Sequence, residues 1–341
     1  MQLFYLSPLP NPLPEGEGSI ATPAERRGGR IRQRGVALVT ALLVVSLATV
    51  AAVAMATRFQ VDMRRTGNLL NGEQAYAYAM AAESWAYVIL RRDRADNEHD
   101  SLDEDWATAL PPIPVEGGFV NGLIADLQGR FNVNNLVGDA GAVDAIQLDY
   151  YKRLLEILGL EAALAPALLD WIDTDINATF PDGAEDDEYL GADLPYRAGN
   201  RPLVDISELR LVKGYTPEVL VVLEPHVTAL PDSTVININT ATPVVLQALH
   251  AELDGSDIEQ LIEARDGEPF TEIKAFLAHD ALAGLELAVA VGVQSDWFNV
   301  QTDVSVGRGL ARLESRILRA ENKLQVISRT RTGKRLLPEE E

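Results

Sequence analysis

The strongest constraint on this chain is the stretch Val36 to Thr57, VALVTALLVVSLATVAAVAMAT, 22 residues without a charge. A helix rises about 1.5 Å per residue, so this one would be about 33 Å long, enough to cross the hydrocarbon core of a bilayer. The apolar part of a secretory signal peptide is shorter, so a spanning helix is the better reading, with a helix buried in a soluble core as the alternative. Arg26, Arg27, Arg30, Arg32 and Arg34 precede the span and a strongly acidic body follows it. Basic flanks stay in the cytoplasm, which puts the N-terminus inside and the body on the far side of the membrane.

The junction before the span is specific. A Pro/Gly-rich start and the basic run end at Gly35, and Arg34-Gly35-Val36-Ala37-Leu38-Val39-Thr40 runs straight into the apolar helix. This resembles the class III signal of type IV pilin-like proteins, in which a membrane prepilin peptidase cuts after the Gly and methylates the new N-terminus. By that resemblance Gly35 and Val36 form the processing site and residues 1–35 are a cleaved leader. Most members carry Glu at the fifth mature position, where it neutralises the terminal ammonium of a neighbouring subunit; here that position is Thr40. A buried ammonium without a partner is costly, so a subunit lacking the Glu suits the tip of a filament, where no earlier neighbour waits. The plainer alternative is that Thr40 merely fits the bilayer.

Beyond the span, Phe59 to Leu90 continues as a helix, with Tyr76, Ala79, Met80, Trp85, Val88 and Ile89 as its apolar stripe and Gln74, Glu83, Arg91 and Arg92 as its polar side. Gly67 and Gly72 weaken its middle. One long helix from about 36 to 92 results. An acidic linker, Arg94 to Asp105, and a Pro-rich turn at Pro111-Pro112-Ile113-Pro114 follow. Phe119 to Gln128 and Arg130 to Val133 read as a hairpin-like pair. Strands return at Phe298 to Val306, Leu310 to Arg319 and Leu324 to Thr330. There Ala311, Leu313, Ser315 and Ile317 line one face and Arg312, Glu314 and Arg316 the other, a half-exposed antiparallel sheet. Between the two sets of strands the pattern is helical: Ile146 to Leu158, Ala163 to Ile172, Val204 to Val212, Pro217 to Leu223, Pro243 to His250, Asp257 to Ala264 and Thr271 to Leu277, with Ser207, Thr216, Thr240 and Ser256 as caps. A sheet interrupted by a helical block signals one domain inserted into another. The expected fold class is α+β: a long N-terminal helix on an antiparallel sheet, with a large all-α insertion. The expected division is leader 1–35, span 36–57, spine helix and first strands 58–139, insertion 140–295, closing strands 296–332 and tail 333–341.

Several independent blocks then share one resemblance: RQRGVALVTALLVV with no Glu at the fifth mature position, GRFNVNNL at 129–136, LLDWIDTD at 168–175, PDGAEDDEYLG at 181–191, YRAGNRPLVDISELRLVKG at 196–214 and VININTATPVVLQAL at 235–249. Together they resemble the K-type minor pseudopilins of the type II secretion system. The resemblance implies a single-pass inner-membrane protein with a periplasmic body. That body would sit at the pseudopilus tip with the I- and J-type minor pseudopilins, initiating or capping the filament of major pseudopilin. It also implies contact with the inner-membrane secretion assembly and a role in exporting folded proteins across the outer membrane.

The run from Asp170 to Glu188 is dense in carboxylates. Hard cations such as Ca²⁺ take six to eight oxygens from carboxylates, amides and backbone carbonyls on loops, and this run offers all three kinds. Asp173, Asp175 and Asn177 match the start of an EF-hand, but Ala178 stands where its Gly belongs and Ala184 at its twelfth place. From the residues alone the run is either a solvated acidic loop or an irregular calcium loop. The resemblance implies structural calcium here, with Asp173, Asp175, Asp182, Glu185, Asp186, Asp187 and Asn177 as candidate ligands.

Charge and motif content weigh on the rival functions. With 29 Lys+Arg against 51 Asp+Glu, the net charge of −22 disfavours nucleic acid as a partner. A membrane-anchored, helix-hairpin-helix-type DNA-binding protein is the alternative reading, because Ile236 to Ala241 and the helices after it resemble that module. Its hairpin equivalent, Glu252 to Asp257, carries three carboxylates that would repel phosphate. There is no Cys, and His99, His226, His250 and His279 are not at metal-ligand spacing. No nucleophile elbow, P-loop or dinucleotide fingerprint appears, and the carboxylates crowd one loop instead of facing each other across a cleft, so catalysis is not expected.

Overall fold

The computed structural model describes residues 34–138, 141–320 and 323–332. The leader reading over 1–33 and the tail 333–341 lie outside the described residues. By contacts the chain divides into two compact units, 1–63 and 64–341.

In the first unit the described residues are the start of helix α1, Arg34–Asp96. Every side chain from Val36 to Met63 is exposed. Within α1 lies the one window among the described residues that is long and apolar enough to cross a membrane. The Thr40 hydroxyl donates to the Val36 and Ala37 carbonyls at 3.1 and 3.0 Å, so it is spent inside its own helix.

In the second unit α1 packs on a five-stranded antiparallel sheet. Strands β1 (Leu110–Val115) and β2 (Gly118–Asp126) form its first hairpin. The segment read as a Pro-rich turn is therefore a strand. Pro111, Pro112 and Pro114 lack amide donors, which the outer edge of a sheet tolerates, and β1 is an edge strand. The buried stripe of α1 also differs from expectation: it is Ala75, Ala79, Glu83, Ala86 and Leu90. Trp85 and Val88, expected inside, are each 48% exposed, and Glu83, expected outside, is 4% exposed. The stripe is rotated because Glu83 finds a cation on the sheet, Arg329, to pair with. Nor is Arg94 to Asp105 a linker. Asp100 and Trp106 are buried, and Trp106 packs edge-on against Phe298 at 5.3 Å between ring centres.

The chain leaves the sheet after β2. Strand β3 (Phe131–Asn132) leads through a 3-10 turn, Val133–Leu136, to helices α2 (Ala145–Ile157), α3 (Leu164–Ile172) and α4 (Asp186–Leu190). A 3-10 helix, Ile206–Leu211, and α5 (Pro217–Leu223) precede the short strands β4 (Val227–Thr228) and β5 (Ile236–Asn237). Helices α6 (Pro243–Gln247), α7 (Gly255–Gly267) and α8 (Ile273–Leu277) and strand β6 (Val291–Gly292) complete the excursion. Then β7 (Trp297–Val306), β8 (Gly309–Ala320) and β9 (Lys323–Arg331) finish the sheet in the order β1-β2-β7-β8-β9. Since β2 pairs with β7 from Gly118↔Val306 to Asp126↔Phe298, everything from 127 to 296 departs and returns between two adjacent strands.

Three details of the insertion depart from the sequence reading. It is not all helical: β3 pairs in parallel with β4, and β5 with β6. The expected hairpin between 119–128 and 130–133 does not form, because Phe131 is drawn into the insertion's core beside Tyr150 and Tyr151, at 4.9 and 5.4 Å between ring centres. The caps also shift. Thr216 caps α5 as expected, but Thr242 caps α6, Asp254 caps α7 and Asp205 caps the 206–211 turn, each two residues away from the residue read as the cap. On the closing strands, by contrast, Ala311, Leu313, Ser315 and Ile317 are buried on one face as expected, while Arg312, Glu314 and Arg316 are half-buried on the other, where Arg316 donates to the Val204 and Ala229 carbonyls of the insertion.

Candidate metal centre

Helix α3 is buried along its whole length, so the chain must leave it sharply; Asp173 caps it in an extended conformation. One turn earlier, the buried Asp170 carboxylate accepts the Thr179 amide at 2.9 Å and ties the loop back to the helix. Gly183 closes the same knot. A Cβ there would lie 2.1 Å from Asp170 Oδ2 and 2.4 Å from the Thr179 nitrogen, so no side chain fits. The result brings Glu185 over the end of α3.

Asp173, Asp175 and Glu185 each present a carboxylate oxygen, and the three oxygens lie within 4.8 Å of one another. Asp173 is 4% and Glu185 7% exposed. Asp173 Oδ1 and both Glu185 oxygens are buried without a hydrogen-bond partner, and so is Asn200 Oδ1. Burial, then the neighbouring Asp175 and Asp170 charges, push the Asp173 carboxyl up to about 6. Burial and the Asp170, Asp173, Asp175 and Asp186 charges push Glu185 to about 7. Buried carboxylates are ordinarily hydrogen-bonded or paired, so these orphaned oxygens are donors that a cation could satisfy. All-oxygen donors on a loop suit a hard divalent ion such as calcium.

A second carboxylate group shows the contrast. Asp93, Asp100 and Glu104 also converge, but Arg319 lies among them, 2.7 Å from Asp93 and 2.5 Å from Asp100. That cluster already holds its cation.

Of the seven candidate ligands, the structure brings together Asp173, Asp175 and Glu185. Asn177 instead braces the loop, its amide and Nδ2 donating to Asp175 Oδ1 at 2.7 and 3.0 Å. Asp186 turns away, accepting the Ala198 amide at 3.0 Å and facing Arg197 at 3.3 Å. Asp187 belongs to the first turn of α4, a helix absent from the sequence reading, where Asp186, Asp187 and Glu188 complement the helix dipole. Asp182 stays on the exposed loop. Two further residues support the site without having been candidates. Asp170 reads as part of an apolar helix, and Asn200 lies far along the chain, yet Asn200 adopts a left-handed φ of 42° and donates to the Asp175 carbonyl at 3.1 Å. A lone Asp inside an otherwise apolar helix is the available signal for the first.

At the hairpin read as DNA-binding, the Asp254 carboxylate takes the Ser256 and Asp257 amides at 2.8 and 3.1 Å. The donors a phosphate would need at that helix start are used.

A helix with a long apolar first half, and an antiparallel sheet that carries a helical insertion, define an α+β, pilin-like protein with a helix suited to a single membrane pass. The sequence profile described as "Type II secretion system (T2SS), protein K" matches residues 129–232 and again 236–300. Type II secretion system protein K of Pseudomonas aeruginosa is 36% identical over 317 residues, spanning 89% of this chain and 93% of that protein. The Aeromonas hydrophila protein of the same name is 33% identical over 326 residues, 89% and 98% of the respective chains. A chain in the crystal structure of the GspK-GspI-GspJ complex from the enterotoxigenic Escherichia coli type 2 secretion system superposes with a TM-score of 0.71 at 28% identity, covering 79% of this chain and 100% of that one. The chain belongs to the type II secretion system protein K family, the K-type minor pseudopilins.

Proposed function

We propose that this minor pseudopilin works at the tip of the pseudopilus, joined to I- and J-type partners, and that it starts or caps the filament of major pseudopilin. The carrying observation is the likeness, along the full length of the matched chain, to a component of a solved GspK-GspI-GspJ complex. Thr40 supports the tip position, since its hydroxyl is bonded within the helix and offers no charge to a neighbour's ammonium. In this reading prepilin peptidase cuts between Gly35 and Val36, α1 is anchored in the inner membrane, and the body lies in the periplasm. The protein acts through contacts and catalyses nothing. Calcium, held by Asp173, Asp175 and Glu185, supplies the positive charge that lets the loop between α3 and α4 stay folded around buried carboxylates.

The test is co-expression of the full chain with the I- and J-type pseudopilins and the peptidase, alongside deletion of the chain from a secreting strain. The expected result is a detergent-stable complex whose K-type member begins at Val36 by mass spectrometry, and export that stops on deletion. A protein that stays unprocessed and purifies alone, with export intact without it, would defeat the proposal.

A further inference from the structure

The face that α1 turns to the sheet is built mainly of small residues: Ala75, Ala79 and Ala86 lie along it, and Leu90 packs among Trp106, Phe298 and Ile317 at its end. Alanines offer few ridges to interlock with a strand surface, so over most of its length apolar packing opposes sliding and rotation only weakly. Three polar or backbone contacts do oppose them. At the turn joining β7 and β8, a Cβ on Gly309 would fall 2.4 Å from the Asn71 carbonyl carbon and 2.5 Å from the Gly72 nitrogen; helix and strand backbones meet directly there. Further along, Glu83 takes a two-pronged bond from Arg329 of β9, at 2.7 and 2.8 Å, and another from the Ser315 hydroxyl of β8. At the end of the helix Arg319 of β8 donates to Asp93 at 2.7 Å and to the Leu90 carbonyl at 3.4 Å. Its other nitrogen binds Asp100, and its guanidinium lies 4.5 Å above the Phe298 ring.

The spacings agree. From Gly72 to Asp93 the helix advances about 32 Å at 1.5 Å per residue, and from Gly309 to Arg319 the strand advances about 34 Å at 3.4 Å per residue. The contacts also occur in the same order on both elements. We propose that β8 and β9 are a ruler for α1: Glu83, Ser315 and Arg329, with Asp93, Asp100 and Arg319, are positioning residues that set the axial and rotational register of the helix on the sheet. Arg319 and Asp100 are both buried, and Glu83 is buried although its partner Arg329 is half-exposed; a buried ion pair contributes little net stability relative to an apolar pair of similar size, while misalignment leaves the buried carboxylate uncompensated. Such pairs therefore penalise wrong registers far more than they stabilise the right one. The consequence for export, that α1 from Arg64 onward and the sheet move as one piece while the filament grows, rests on the minor-pseudopilin reading; the register does not.

The chain contains no Cys, so spin labels go only where they are placed. The full chain in detergent micelles, labelled through Ser84→Cys and Gln325→Cys, is measured by pulsed electron-spin distance spectroscopy with and without the triple change Glu83→Met, Ser315→Ala and Arg329→Met. The expected result is one narrow distance in the parent and, in the triple variant, a near-parental melting midpoint with a broadened or multiple distance, together with a several-fold fall in export. A single narrow distance at the parental value in the folded triple variant would overturn the ruler. Should the triple variant not fold, Arg329→Lys decides, because it keeps the charge but loses the fork. It is expected to fold with a broadened distance, and an unchanged narrow one overturns the proposal. A broadened distance with undiminished export would uphold the ruler and reject its link to filament growth.

Discussion

Glu185 has both carboxylate oxygens buried and unbonded, with acidic neighbours that raise its affinity for a proton. A carboxylate of this kind destabilises the fold whenever it is ionised without a partner. Calcium is expected to raise the melting midpoint of the full chain in detergent relative to EDTA, with magnesium giving a much smaller rise, since only a flexible many-oxygen site suits the larger ion. Differential scanning calorimetry measures this directly, and identical midpoints in all three conditions, with no calcium found by elemental analysis, would remove the ion from the account. Glu185→Gln should abolish the calcium response and yet stabilise the EDTA-treated protein at pH 8 by about 2 kcal/mol, because it deletes an uncompensated buried charge. The pH dependence follows from the same groups. A carboxyl whose folded value is raised stays protonated in the folded state while the unfolded chain has already ionised, so stability is intact below the unfolded value and is lost as pH rises. For Asp173 and Glu185 that window runs from their ordinary values of 3.8 and 4.5 to about 6 and about 7. Metal-free protein should lose stability across it, and saturating calcium should flatten the part of the curve due to these two. The rise of Asp126 to about 6, caused by its burial under the insertion, has the same sign and should not respond to calcium.

Helix α1 shows which properties of an element its own sequence carries. Its length and its apolar first half were legible, because 22 uncharged residues admit few other structures. Its inward face was not. Hydrophobicity favoured Trp85 and Val88 over Glu83, and only the arrival of Arg329 and Ser315 from the other end of the chain makes Glu83 the better buried residue. Two glycines on or against this helix should behave oppositely. A methyl group added at Gly67 would meet nothing within 4 Å, so Gly67→Ala should stabilise by about 1 kcal/mol through helix propensity. Gly309→Ala drives a methyl into the backbone of Asn71 and should destabilise by about 1–3 kcal/mol. Chemical denaturation of the two variants decides, and equal effects of the same sign would mean the helix does not meet the turn as described. The same limit applies to β1. Three prolines read as a turn until the sheet order shows that this strand needs no donors on its outer edge.

Taken whole, the second unit is sewn together at Arg319, where α1, the 97–106 loop, the end of the insertion and β8 meet through Asp93, Asp100 and the Ser295 carbonyl. Beside it Asp126 accepts bonds from Ser295, Thr240 and Asn237, tying the sheet to the insertion. Arg319→Met should cost about 3–5 kcal/mol, since it strands two carboxylates in a buried site. Part of that loss should be recovered as the pH falls and Asp93 protonates, its carboxyl being already pushed up to about 6 by burial; a loss independent of pH would assign the effect to packing on Phe298 instead. Local sequence sufficed for the long apolar helix, the three closing strands with their buried face, the helical insertion and the family, because each is written in short-range periodicity or in contiguous motifs. It did not suffice for which three of seven candidate carboxylates and amides converge, for the support that Asp170 and Asn200 give them, or for the inward turn of Glu83. Those features depend on free energies of burial and charge pairing between residues a single loop apart, as at Asp173 and Glu185, or 246 positions apart, as at Glu83 and Arg329, and no local pattern encodes which partner will arrive.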